Sequence, residues 1–174
     1  MGTALAAAFD TDTALDFETL VRRHQAMVFS IALHFLHDRS AAEELAQDVF
    51  LQLHRHLSAM QSADHVTFWL RRVTTHRCID YSRRRRFNFL RLDAVPEPAA
   101  PISTPDPLLS RRMRALVRKL PAPARMAVVL RYQEDLTPEE IARVLDRPVA
   151  TVKSQLQRSL KTLKEKLNKV VSHA

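Results

Sequence analysis

LTPEEIARVLDRPVATVKSQLQRSLKTL, Leu136 to Leu163, is the stretch that decides the fold. It reads as two helices joined by a tight turn. Thr137 caps the first helix, Pro138 brings the backbone angle that suits a first helical position, and Glu140 reaches back to complete a capping box. Ile141, Ala142 and Leu145 form an apolar stripe that Asp146-Arg147-Pro148 interrupts; an aspartate tolerates the left-handed conformation that ends a helix. A second helix starts about Pro148. Val152, Leu156, Leu160, Leu163 and Leu167 recur every three or four residues, which predicts one buried face. The other side presents Ala150, Thr151, Lys153, Ser154, Gln155, Gln157 and Arg158. Short polar side chains for base edges beside cations for phosphates are what a major-groove helix requires. An amphipathic hairpin with no nucleic-acid role is the plainer alternative.

The rest of the composition narrows the class. A chain of 174 residues holds one domain or two small ones. Its single glycine is Gly2, so no glycine-rich phosphate loop can form. Cys78 is the single cysteine, which rules out an intrachain disulfide and a cysteine-based zinc cluster. No apolar run reaches eighteen residues and the N-terminus lacks a basic-then-apolar signal pattern, so a cytoplasmic protein without membrane insertion is expected. The net charge of +8 is unevenly placed. Residues 17–86 carry 11 Lys/Arg against 7 Asp/Glu, and residues 108–174 carry 15 against 6. Between them residues 87–107 are net acidic, as are residues 1–16. Two basic blocks about an acidic connector suit two contacts with one polyanion.

Apolar spacing is helical almost throughout, so the expected fold is all-α. Residues 1–16 are read as a flexible N-terminus. Phe17, Leu20, Val21, His24, Val28, Ile31 and Phe35 predict a first helix with Asp16 as its cap. Ser40 and Glu43 predict a second capping box, opening a helix through Leu45, Val49, Phe50, Leu53 and Leu57. A polar connector, Ser58 to His65, precedes a third helix from Phe68 to about Arg86. Pro96, Pro98, Pro101, Pro105 and Pro107 make residues 89–107 a linker, because proline cannot sustain a helix interior. Helical periodicity resumes at Leu108. Two small helical domains result, residues 17–88 as a three-to-four-helix bundle and residues 108–170 as a helix-turn-helix unit.

Three stretches together resemble one family. LPAPARMAVVLRYQEDLTPEEIARVLDRPVATVKSQLQRSL resembles region 4 of bacterial sigma factors, especially the extracytoplasmic-function group. AAEELAQDVF, residues 41–50, and the stretch from Trp69-Leu70-Arg71-Arg72-Val73 through Ile79-Asp80-Tyr81-Ser82-Arg83-Arg84 resemble the core-binding and promoter-reading parts of region 2. The resemblance implies a sigma factor, a non-enzymatic subunit that turns RNA polymerase core toward particular promoters. It also implies core polymerase (β′ and β subunits), promoter DNA and an anti-sigma factor as partners, the last sometimes holding the protein at the membrane.

Carried onto this chain, the polymerase-facing residues are Glu44, Gln47, Asp48 and Leu51, where acids suit a basic partner helix and would be repelled by DNA. The minus-ten reader corresponds to the loop Ser58–Thr67 and the helix after it. It comprises Gln61, Ser62, His65, Arg71, Arg72, Thr75 and His76, followed by the run Arg83, Arg84, Arg85 and Arg86 for phosphate contact. His76 stands where the family usually has asparagine, and Arg77 where an apolar residue is common. The minus-thirty-five reader is Ala150, Thr151, Lys153, Ser154, Gln155, Gln157 and Arg158. Gln155 replaces a frequent arginine with a group suited to adenine, which implies a shifted promoter preference.

No catalytic constellation stands out, and no cofactor or metal is expected. His34 and His37 lie at i, i+3, but His54 and His56 are two apart and face different directions on a helix, and no Glu-x-x-His or His-Glu-x-x-His pattern is present. A stand-alone helix-turn-helix regulator, dimerising through Leu156, Leu160, Leu163 and Leu167, accounts for the second domain and leaves the first without a role.

Overall fold

A computed structural model describes residues 16–89 and 107–171, without side-chain detail for residues 86–89, 107–110 and 170–171. The expectations for residues 1–15, for the proline-rich linker between Phe89 and Pro107, and for the Arg86 side chain fall outside what is described. The described residues form seven α-helices and one short 3-10 turn, with no strand among them. α1 (Phe17–Leu36), α2 (Arg39–His56) and α3 (Ala63–Phe89) make the first group; α4 (Pro107–Arg118), α5 (Ala122–Tyr132), α6 (Pro138–Leu145) and α7 (Val149–Val171) make the second.

Local chemistry sets the boundaries. Asp16 caps α1 by accepting from the Thr19 amide at 2.9 Å. α1 ends at His37, whose left-handed φ of 54° lets its N–H donate to the Leu33 carbonyl. The cap of α2 is Asp38 and not Ser40: the Asp38 carboxylate accepts from the Ala41 amide at 3.0 Å, while Glu43 is engaged by Arg39 at 2.9 Å. An aspartate two residues upstream takes the cap because His37 has already turned the chain, so Ser40 lies inside the first turn. α3 begins five residues before Phe68. Ser62 accepts from the His65 amide at 3.1 Å and its carbonyl from Val66 at 3.0 Å, so the expected polar loop is mostly a 3-10 turn (Leu57–Ala59) and the first turns of α3. In the second group the Thr137–Glu140 capping box forms as read from the sequence, and Asp146 ends α6 at φ 54°.

The two groups pack on each other. α3 touches α1 and α2 of its own group and α5 and α6 of the other, and α1 also touches α5. One apolar cluster therefore runs from Val28, Ile31 and Phe35 through Leu70 and Cys78 to Met126, Leu130 and Ile141, all with no measurable exposure. Burial of that extent, at roughly 25 cal/mol per Å² of apolar surface, outweighs any of the exposed ion pairs. α7 closes the second group with Val152, Leu156, Ser159 and Leu163 inward. Leu160, expected inside, is 43 % exposed. Helical rotation of 100° per residue puts it about 80° away from Val152, at the edge of the stripe, while Ser159 lies about 20° away and takes the inward position.

Candidate interaction surfaces

The α2 surface arises from its phase. Ala42, Leu45, Val49 and Leu53 face the core, which leaves Glu44, Gln47, Asp48 and Leu51 outward. Leu51 is 57 % exposed, and with Gln47 it edges an apolar groove of about 800 Å³ between α1 and α2, walled by Phe17, Val21, Phe29 and Phe50. On the other edge of α2, Asp48 is not free. Arg77 donates from Nη1 to Asp48 at 3.0 Å and from Nε and Nη2 to the Gln52 side-chain oxygen at 3.1 Å. The arginine that departs from the family pattern thus ties α3 to α2. An apolar residue at that position would leave both partners to solvent.

The expected minus-ten residues fall into three sets. Gln61, Ser62 and His65 gather at the start of α3, where the His65 ring nitrogen lies 3.4 Å from the Gln61 amide. His76 is exposed beside Arg72, its Nδ1 2.8 Å from the Arg72 carbonyl. Arg83 and Arg84 are exposed, and Arg85 reaches back to Asp38 at 3.4 Å. The third set faces the second helical group. Arg71 is 3.8 Å from Glu134. Arg72 is 3.6 Å from Asp146 and donates to the Arg143 carbonyl at 3.5 Å. Thr75 has no exposure at all, and its hydroxyl has no partner. In this packing Thr75 cannot touch a nucleic acid, because its side chain is sealed where α3 meets the neighbouring helices. Phe68 is 36 % exposed and Trp69 half-buried against the core, its ring 5.9 Å from that of His56.

On α7 the reader row is outward: Ala150, Lys153, Gln157 and Arg158 are exposed, Thr151 and Ser154 partly so. Lys153 pairs with Glu139 at 2.9 Å, and this holds the Glu139 carboxyl below its usual range. Arg158 folds back on Ser154, donating to its carbonyl and hydroxyl at 3.2 Å each. Gln155 differs from the rest of the row. Its side-chain oxygen is buried without a partner, and the side chain lines a cavity of about 280 Å³ together with Leu120, Pro121 and Pro123 from the turn before α5 and its first turn. Leu156 and Leu163 are consumed by the chain's own core, leaving Leu160 alone of the proposed dimer stripe well exposed.

Sequence reasoning missed two residues that tie the groups together, Arg125 and Glu134, and a buried histidine beside them, His37. Arg125 on α5 places its guanidinium carbon 4.1 Å from the Phe35 ring centroid and donates to Ser82 at 3.0 Å; burial, then Arg118, lowers its pKa. Glu134, in the turn after α5, has its pKa raised by burial, opposed by Arg71. His37 is buried with neither ring nitrogen bonded, and its pKa falls to about 4 through burial, then Arg118, Arg125, His34 and Arg114. The one available sign was an arginine with no nearby acid inside the run PARMAVVL. Among the described residues no three His, Cys, Asp or Glu side chains converge as metal ligands, and no helix is long and apolar enough to cross a membrane.

Helices throughout the described residues, with a helix-turn-helix whose polar row is outward and a separate acidic, leucine-bearing surface on α2, are features that suit a helical DNA-binding protein. The comparisons with known proteins agree. Residues 20–88 match the family model for sigma-70 region 2, and residues 110–163 that for sigma-70, region 4. The ECF RNA polymerase sigma factor SigE of Mycolicibacterium smegmatis is 32% identical over 180 residues, covering 97% of this chain and 68% of that protein. The ECF RNA polymerase sigma-E factor of Escherichia coli K12 is 28% identical over 169 residues, covering 89% and 88%. Among solved structures, the sigma factor RpoE in complex with the anti-sigma factor NepR from Bartonella quintana superimposes with a TM-score of 0.73 at 20% identity, covering 89% of this chain and 98% of that one. CnrH in complex with the cytosolic domain of CnrY gives 0.64 at 22%, covering 88% of each; both likenesses speak to the fold. The chain belongs to the sigma-70 family, in its extracytoplasmic-function group, and members of that family are sigma factors and not enzymes.

Proposed function

We propose that this chain binds RNA polymerase core and directs it to promoters by reading a minus-ten element with residues 17–88 and a minus-thirty-five element with residues 108–170, joined by the linker 89–107. The observation that carries this reading is the α2 surface: an exposed leucine, Leu51, beside Glu44, Gln47 and Asp48, next to a groove lined by aromatics. A large exposed apolar side chain with acids around it fits a basic helix of a protein partner, here a polymerase subunit. The α7 row supplies the second half, with Lys153 and Arg158 for phosphates and Thr151, Ser154 and Gln157 for base edges. Gln155 enters base reading only if its side chain turns out of its pocket. The minus-ten half is assigned to Gln61, Ser62, His65 and His76 at the α3 start and edge, with Arg71, Arg72, Thr75 and the arginine run behind them. The two halves gain effective concentration when core fixes both against one promoter.

An anti-sigma factor is the proposed negative partner, since a solved sigma factor of this fold, from Bartonella quintana, is in complex with one. The proposed compartment is the cytoplasm, where core polymerase and promoter DNA are found. Run-off transcription with purified core tests the reading. The chain should support initiation from a limited promoter set, and Leu51→Asp should abolish it by loss of core binding. Initiation from no genomic promoter at saturating chain would sink the proposal.

A further inference from the structure

We propose that Arg77 is a positioning residue that couples the two surfaces of residues 17–88. Asp48 holds it in the free chain, and its guanidinium passes to the promoter backbone when a basic partner helix takes Asp48. The inference rests on the sigma-factor reading and adds a residue which that reading does not use. Arg77 follows His76, which is exposed, and Arg72 lies one turn before His76 on the same line of α3. The Arg77 guanidinium reaches across to α2. Nη1 donates to Asp48 at 3.0 Å, and Nε and Nη2 converge on the Gln52 side-chain oxygen at 3.1 Å. These groups share one cleft of about 650 Å³, with Glu44 and Asp48 on its α2 wall and Arg72, His76, Arg77 and Arg84 on its α3 wall. Of those four, Arg77 is the one paired with an acid of α2.

Asp48 therefore has two claimants. It stands beside Gln47 and one turn after Glu44, on the surface proposed to meet the polymerase, and its side chain stays 54 % exposed while paired, so a partner can reach it. A second cation on the same carboxylate repels the first at hydrogen-bond range. Arg77 is then left with the Gln52 oxygen, a neutral acceptor and the weaker kind. A pair this exposed is worth little, so one docking event suffices to break it. The Arg77 side chain is already 41 % exposed, and rotation about its own bonds frees it without moving a helix. Beside His76 and Arg72 it supplies one more cation for a phosphate. Each such contact steepens the salt slope of binding by about 0.7 to 0.9. Charge sets the order of events: without a partner Asp48 withholds the guanidinium from DNA, and with one it lets go.

The test uses the full chain with purified core polymerase and compares R77L, R77Q and R77K with the wild type. Core affinity is titrated first, and promoter binding by each holoenzyme is then followed across a salt series. R77L and R77Q should bind core about two- to five-fold tighter, because Asp48 has no internal cation to give up. Their holoenzymes should show a salt slope shallower by about 0.7 to 0.9, while R77K, which keeps the charge, retains the wild-type slope. A tie that only props α2 against α3 predicts the reverse pattern: weaker core binding and an unchanged slope. Should R77L lose helix content by circular dichroism, R77Q, which keeps a donor for Asp48 and Gln52, decides alone. Core affinity no tighter than wild type, a slope equal to wild type in the uncharged variants, or an R77K slope as shallow as theirs would overturn the coupling. Run-off at saturating polymerase separates the two readings: initiation by the wild-type chain leaves the sigma-factor reading intact even where no Arg77 variant changes affinity or slope.

Discussion

α3 and α7 are both long, both carry cations, and both are assigned to DNA, yet they stand differently toward the rest of the molecule. α7 rests on its group through one stripe, Val152, Leu156, Ser159 and Leu163, and exposes Ala150, Lys153, Gln157, Arg158 and Leu160 on the other side. α3 is gripped by α1, α2, α5 and α6, so Val66, Leu70, Thr74, Thr75 and Cys78 are all sealed. A helix packed on one face advertises that face in its sequence. A helix packed by four neighbours buries a wider arc that takes in polar residues, and those residues become ambiguous between core, interface and ligand.

The largest expected effect sharpens this contrast within α7 itself. Leu156→Ala should lower the unfolding free energy by about 2–5 kcal/mol, as for a buried leucine, whereas Leu160→Ala should change it by less than about 1 kcal/mol. Urea midpoints of the two variants check it, and equal effects would show that Leu160 is buried in solution, as a dimer would require.

The second prediction concerns the seam between the groups. His37 has a folded pKa of about 4 against an ordinary 6.5, so as pH falls the unfolded chain takes up that proton first. The stability it permits is complete above about pH 6.5 and is lost progressively from there down toward 4. Between pH 7 and pH 5 the loss from this group is about 2 kcal/mol. His37→Asn, which keeps the left-handed cap, should remove that part of the slope. Glu134 works in the opposite sense: burial raises its pKa, so the folded state takes up its proton first and gains relative stability as pH falls toward the carboxylate range. A pH series of denaturation midpoints, wild type against His37→Asn, isolates the histidine; superimposable slopes would refute its assignment.

At the α6 start, Thr137→Ala should cost about 1 kcal/mol by removing one side of the capping box. Thermal melts measure it. The smallest expected effect is on binding. Arg158→Ala should reduce the salt slope of upstream-element binding by about 1, with little change in sequence preference. Gln155→Arg tests the pocket: a shifted base preference in selection experiments would mean that residue 155 leaves its buried position on DNA.

Much of the second group was legible before any coordinates. Its capping box, its left-handed Asp146 and the outward row of α7 each depend on neighbours within four residues, which is the range that helical periodicity and capping chemistry reach. Leu160 was misjudged because spacings of three and four accumulate rotation, and only packing shows where the stripe ends. Ser40 was misjudged because the cap position was set upstream by His37, a left-handed residue that nothing in its type announces.

By itself, then, the sequence determined the helical class, the caps, the apolar phase of most helices, and the family through its ordered motifs. The tertiary structure decided what faces what. Arg77 serves Asp48 and Gln52, Arg125 serves Phe35 and Ser82, and Arg71, Arg72 and Thr75 lie under the second group. Those contacts join residues 25 to 90 positions apart, and no local pattern encodes them. They follow from α3 being a shared wall between two helical groups.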